Sequence, residues 1–254
     1  MFSYKAIYVI VLREFKRFFR QKGRLVTTIA RPLIWLVIVG SGFVHLIDVE
    51  SGANYIQFIL PGIIGMTILF TSVFSTISVV WDREFGFLRE MLVAPVSRVT
   101  IVFGKLISGT ALSVFQGTIL LVVAPFVGLE IGITDVVFMI VLMTFVALAI
   151  TSLGLFVASF LTSLEGFNVI MNFIVLPMFF LSGALYPVEN LPEALQWLSY
   201  INPLCYGVDA FKHVLLPGSG SLSAELPLYV DIAFVVVFST IMTFLSALVF
   251  EKRK

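Results

Sequence analysis

Few side chains in this sequence are able to do chemistry, and one stretch between two apolar runs, Trp81 to Arg98 (WDREFGFLREMLVAPVSR), gathers them densely. Asp82, Arg83, Glu84, Arg89 and Glu90 stand there among Phe85, Phe87, Leu88, Met91 and Leu92. Mixed charges with apolar anchors suit binding: oriented ion pairs plus a greasy face, as in a short amphipathic helix lying on a membrane or a partner, with Pro95 marking its end. The other reading of such a charge run is a solvated loop between two apolar segments. Catalytic patterns are missing. There is no G-x-x-x-x-G-K-[ST] phosphate loop, since Gly104-Lys105 lacks the preceding glycine and the following hydroxyl, and no H-E-x-x-H or G-x-S-x-G. The two histidines, His45 and His213, and the single Cys205 offer neither a paired nucleophile and base nor a metal set. No catalytic, cofactor or metal site is therefore expected in this chain.

Two quieter sets of polar residues have helical spacing. Thr67, Thr71, Ser75 and Ser78 recur at four, four and three, placing four hydroxyls on one face. Glu165, Asn168 and Asn172 do the same at three and four. Hydroxyls and amides surrounded by apolar sequence need partners, so each face looks at another helix or a wet path rather than lipid. Packing and pathway both remain open for Thr67, Thr71, Ser75, Asn168 and Asn172.

The elements that must carry these residues follow from composition. Of 254 residues, 59% are hydrophobic and 12% charged, whereas soluble domains carry about 25% charged residues. One soluble core cannot hide that excess, and a net charge of +1 gives no field for nucleic acid. The expectation is an all-α polytopic membrane protein, one domain over 1–254 with six transmembrane helices near 25–46, 57–80, 99–125, 136–161, 167–186 and 226–250. Before them, 3–22 pairs an aromatic stripe (Tyr4, Tyr8, Phe15, Phe18) with a basic face, which describes an interfacial helix. Arg31, near the start of the first span, is expected to extend to the headgroups. Pro187, Pro192 and Pro203 break the segment 187–216 into pieces too short to span, read as two re-entrant helices at the outer boundary, where Trp197, Tyr200 and Tyr206 would rest.

Orientation follows from the basic residues. Placing 1–31, 82–105, 162–166 and the tail on one side puts fifteen of sixteen Lys and Arg there, leaving only Lys212 opposite. Both termini are then cytoplasmic and the number of spans is even. The stretch 82–94 also lies in the cytoplasm, where Glu14, Lys16 and Arg17 of the interfacial helix could form a second contact with a soluble partner.

The runs Leu60-Pro61-Gly62, Trp81 to Arg89, Leu92 to Arg98 and Gly104-Lys105 together resemble the membrane subunit of type-2 ATP-binding-cassette (ABC) transporters. The nearest branch by that likeness is the daunorubicin and multidrug-resistance type of bacterial permease. The resemblance covers essentially the whole chain, and Asp82 to Arg98 is its most specific part. It implies an exporter of a hydrophobic drug or lipid-like substrate in the bacterial inner membrane, working as a dimer of two permease copies. Two copies of a separate ATPase would bind ATP and Mg, and 82–94 would be the coupling helix seated against them, with Asp82, Arg83, Glu84, Phe85, Phe87 and Arg89 in contact. The outer segment with Trp197, Tyr200 and Tyr206 would act as a gate. A lipid-linked polysaccharide exporter of the same superfamily is the neighbouring reading. An ion-driven carrier would need internal repeats around a midplane site, and no repeat is evident.

Overall fold

The computed structural model describes residues 3–43, 55–86, 97–217 and 223–252, and among them no β-strand occurs. Among the described residues nine α-helices follow one another: α1 (Tyr4–Arg20), α2 (Lys22–Phe43), α3 (Tyr55–Glu84), α4 (Arg98–Leu121), α5 (Ile133–Phe160), α6 (Leu164–Phe180), α7 (Glu193–Ile201), α8 (Pro203–Leu215) and α9 (Leu228–Lys252). Among the described residues four stretches are long and apolar enough to cross a bilayer: α3, α4 with the 3₁₀ turn Ala124–Val127, α5 and Leu228–Phe250 of α9. Two shorter apolar helices, Ala30–Gly42 and Leu164–Phe180, accompany them.

At 1.5 Å per residue, α3 is about 45 Å long, longer than about 30 Å of hydrocarbon, so it stands proud of the apolar layer. It is also the central element. In its most apolar window 78% of residues are buried inside the protein, against 11% for α9, most of whose residues are half-buried. Small residues let the neighbours approach α3 closely. A Cβ on Gly154 of α5 would lie 3.0 Å from the Thr76 side chain, and one on Gly109 of α4 would run into Ser75. Ser72 of α3 donates to Ser113 of α4 at 2.8 Å, and Thr71 donates to the Gln116 carbonyl oxygen.

The helix ends sort onto two faces. Arg83 at the end of α3 reaches the Ser159 and Leu161 carbonyls at the end of α5 (3.0 and 2.6 Å), and Arg98 at the start of α4 reaches the Phe250 carbonyl of α9 (3.1 Å). These ends form the charged face. At the opposite face Tyr55 donates to the Leu185 carbonyl (3.1 Å), Asn202 to that of Met178 (2.6 Å), and the Leu226 N–H to Asp209 (2.8 Å). Since α5 ends at the charged face and α9 begins at the other, α6 carries the chain across between them. α2 runs antiparallel to α3, with Arg31 5.6 Å over the Phe70 ring and Gly40 packed on Ile56.

The segment after α6 forms two short helices of unequal burial. α6 stops at Phe180, and a turn containing Gly183 (φ +70°) leads to α7. α7 is amphipathic, with Trp197, Leu198 and Ile201 exposed. α8 instead inserts between α3 and α5: Leu204, Val208 and Phe211 are fully buried, and Cβ atoms on Gly65 and Gly207 would lie 2.8 Å from Val208 and Val146. Proline and glycine shorten and slim this piece so that it fits inside the bundle rather than on it.

Candidate functional site

α1 docks by a narrow stripe, Ile10, Glu14 and Phe18, spaced four apart and buried against α4, after Ser3 caps its first turn through Ala6. Ile10 fits against Gly104, where a Cβ would meet it at 3.0 Å, and Phe19 meets Phe115 edge-on at 5.7 Å. The charged member of that stripe enters a closed network. Lys105 of α4 donates to Glu14 (2.8 Å), to Asp82 of α3 (2.6 Å) and to the Ser78 hydroxyl (2.9 Å), which uses all three protons of its ammonium. Arg13 donates to the same Asp82 oxygen (2.8 Å) and to Glu14 (2.9 Å). Lys105, Asp82 and Glu14 are 4%, 7% and 8% exposed. Two cations and two anions make the cluster neutral, the condition under which buried charge is tolerated.

Glu14 and Asp82 thus turn inward. Sequence reasoning expected both to face a soluble partner, but at this spacing the carboxylates meet Lys105 and Arg13 instead, because a lysine seven residues inside an apolar helix has to be neutralised. Burial by itself would raise the Glu14 carboxyl; the charge of Lys105 and hydrogen bonds from Lys105 and Arg13 outweigh it and hold the group below 4.5. A carboxyl depressed by folding stabilises the docked state above its unfolded value and loses that contribution as pH falls through the folded one. Protection of the α1 amides, taken relative to their intrinsic exchange rate at each pH, should therefore be high at neutral pH and fall as the pH drops below about 4.5; equal protection at pH 7 and pH 3 would contradict this.

Arg83 and Glu84 also have internal duties. Arg83 places its guanidinium on the last carbonyls of α5, and Glu84 accepts the Leu164 N–H of α6 at 3.0 Å. A cation at a helix C-terminus and an anion at an N-terminus both complement the helix dipoles. The α5–α6 turn is thereby held by the end of α3. Glu84 and Phe85 remain exposed, as does Lys16. Phe85 packs on Trp81 (4.5 Å between centroids), whose ring lies 5.1 Å from the Arg17 guanidinium. Phe87 and Arg89 lie outside the described residues.

Above the cluster a slot of about 330 Å³ opens between α2 and the α3–α4 pair. Thr67, Phe70, Thr71, Phe74, Ile77 and Trp81 of α3 form one wall, and Arg17, Arg31 and Gln116 border it. The hydroxyl face therefore divides: Thr67 bonds back to the Ile63 carbonyl (2.9 Å) and, with Thr71, borders the slot, while Ser75 bonds to the Ser72 carbonyl (2.7 Å) and Ser78 belongs to the charged cluster. Arg31 lines this slot. Glu165, Asn168 and Asn172 lie on the exposed face of α6 beside Val169 and Phe173.

At the opposite face, Trp197 is exposed and Tyr200 half-buried, but Tyr206 is buried, stacked on Phe234 of α9 (3.9 Å) with its hydroxyl on the Tyr200 carbonyl (2.9 Å). Asp209, His213 and Asp231 bring ligand atoms within 4.8 Å of one another. Two of the three are already committed: Asp209 accepts the Glu225 and Leu226 N–H groups, and His213 Nε2 lies 2.8 Å from the Leu226 carbonyl. The trio closes the entry to α9.

The end of α3, the α1 platform and the bundle they fasten are matched by comparison with known proteins. The family model described as ABC-2 type transporter matches residues 5–216, from the platform helix to the end of α8. The chain belongs to the ABC-2 type transporter family. An ABC-2 protein of this kind is the membrane subunit of an ABC transporter, a transport component located in a membrane. The chain is 32% identical over 228 residues to the transport permease ycf38 of Porphyra purpurea (84% of this chain, 76% of the relative). It is 26% identical over 235 residues to the inner membrane transport permease YadH of Escherichia coli K12 (92% and 90%). Nodulation protein J of Rhizobium meliloti is 29% identical over 230 residues (89% and 84%).

Sequence reasoning missed Arg13, Lys105 and Gln116 in this permease. Lys105 had one available signal, its place inside an apolar run, which the phosphate-loop comparison, the count of basic residues and the family likeness all passed over.

Proposed function

We propose that this ABC-2 permease exports a hydrophobic or lipid-like substrate, driven by ATP hydrolysed on a separate nucleotide-binding subunit present in two copies, which also holds the Mg. The coupling helix is 82–94, and the force enters there. The carrying observation is the Arg13–Glu14–Asp82–Lys105 cluster beside that segment: it ties α1, the end of α3 and the start of α4 into one unit. Arg83 and Glu84 extend the unit to the α5–α6 turn. A displacement at the end of α3 is then felt by five helices at once. Lys16, Arg17, Glu84 and Phe85 remain as the outward contacts available to the ATPase.

The permease crosses the bilayer six times, through α2 to α6 and α9, with both termini in the cytoplasm of a bacterial inner membrane. Two copies pair. Support comes from α6, whose Asn168 and Asn172 stand exposed on an otherwise apolar face; amides facing lipid are costly, and a second copy supplies partners. Substrate leaves between the copies, beneath α7 with Trp197 and Tyr200.

The test is ATPase activity of the permease reconstituted with its nucleotide-binding subunit. The permease alone should show none. Arg83→Glu would set a carboxylate against the α5 carbonyls, and Glu84→Arg a cation against the α6 N-terminus. Each should lower substrate-stimulated ATPase about tenfold while leaving the basal rate of the free ATPase unchanged. Full coupling with both reversals present would refute the reading, as would uphill transport by the permease without a companion.

A further inference from the structure

Gln116, Arg31 and Arg17 bring hydrogen-bond donors to the slot beside α3. Gln116 is 2% exposed; its carbonyl oxygen takes the Thr71 hydroxyl, and its amide nitrogen has no hydrogen-bond partner. Arg31 and Arg17 border the same space, over the rings of Phe70 and Trp81. Among the described residues neither guanidinium has a carboxylate within 4.0 Å, and no carboxylate lines the slot. Stacking on a ring holds a guanidinium in place but leaves its in-plane N–H groups free. Phe70 and Phe74, stacked 6.1 Å apart, provide an apolar wall beside these donors.

We infer that this slot is a binding site for an amphipathic organic anion, one acidic group on an apolar body. The acid group sits against Arg31 and the Gln116 amide, the body lies along Phe70 and Phe74, and Arg17 draws the anion in from the charged face. The inference rests on the export reading above and narrows its substrate class, since a cationic compound would meet like charge and no acid.

The test uses the full chain in phosphatidylcholine nanodiscs, with no nucleotide and no ATPase, so that it can fail independently of the coupling reading. The probe is 8-anilinonaphthalene-1-sulfonate, read by energy transfer from Trp81, with N-phenyl-1-naphthylamine as its uncharged counterpart and Trp81→Phe as the background. Saturable binding of the sulfonate is expected, with the neutral compound about tenfold weaker. Arg31→Gln should cost about tenfold, Gln116→Leu about threefold, and Arg31→Lys should recover most of the loss. Competition identifies the source: displacement by lysophosphatidic acid but not lysophosphatidylcholine points to a lipid headgroup, displacement by decanoate alone to a free organic acid, and either supports the site. Equal binding of the neutral probe would overturn it. So would displacement by inorganic phosphate alone, or unchanged affinity in a monodisperse Arg31→Gln protein.

Discussion

Replacing Lys105 by methionine should release α1 from the bundle and lower stability by about 3–5 kcal/mol, the range for removing one partner of a buried ion pair. The size follows from what is left behind. Asp82 and Glu14 stay buried with only Arg13, itself partly exposed, to balance them, and Ser78 loses its donor. The cluster then carries net negative charge away from water. Thermal unfolding in detergent and amide exchange along α1 would measure the loss. The double variant Glu14→Gln, Lys105→Met removes one anion and one cation and should recover most of the stability, because the Arg13–Asp82 pair that remains is balanced and no uncompensated ion is left. Under the coupling reading that variant should still lose substrate-stimulated ATPase activity, since hydrogen-bonded amides grip more weakly than charged pairs. A Lys105→Met protein as stable as the parent, with α1 equally protected, would show that the cluster holds nothing together.

Gly62→Ala is the second large effect, and it acts at the opposite face. A Cβ at position 62 would lie 2.5 Å from the Ala184 carbonyl oxygen and 2.6 Å from its Cα. Both are backbone atoms, so no rotamer change relieves the contact, and α3 or the turn after α6 has to move. Overpacking of this kind costs about 1–3 kcal/mol, and the upper end is expected because that turn also receives the Tyr55 hydroxyl at the Leu185 carbonyl. Gly42→Ala is the internal control. Nothing lies within 4 Å of its Cβ, and replacing a helical glycine by alanine is favourable by about 1 kcal/mol. Melting temperatures should fall for the first and hold or rise for the second; parallel behaviour would remove the argument from close approach.

The sequence by itself determined the class of the molecule and its helical pieces. A chain with this little charge and so many apolar residues has to place its backbone in helices that satisfy their own hydrogen bonds, and it has to do so in a membrane. The Leu60-Pro61-Gly62 and Asp82 to Arg98 patterns carried the family likeness for the same reason, because they interrupt an otherwise uniform text. Side-chain direction was another matter. Helical spacing says which residues share a face, but not what that face meets. Glu14 and Asp82 read as surface acids because they border charge runs, and only the packing of α1 and α3 on α4 brings both to Lys105. Likewise α8 has the length and composition of a boundary helix, yet Gly65 and Gly207 let it pass inside the bundle. Gln116 gave no signal at all, being one amide in an apolar run. Its meaning arises where α4 meets the hydroxyl face of α3 and the arginines of α1 and α2, a meeting of four segments that local sequence cannot encode because each is drawn there by contacts far along the chain.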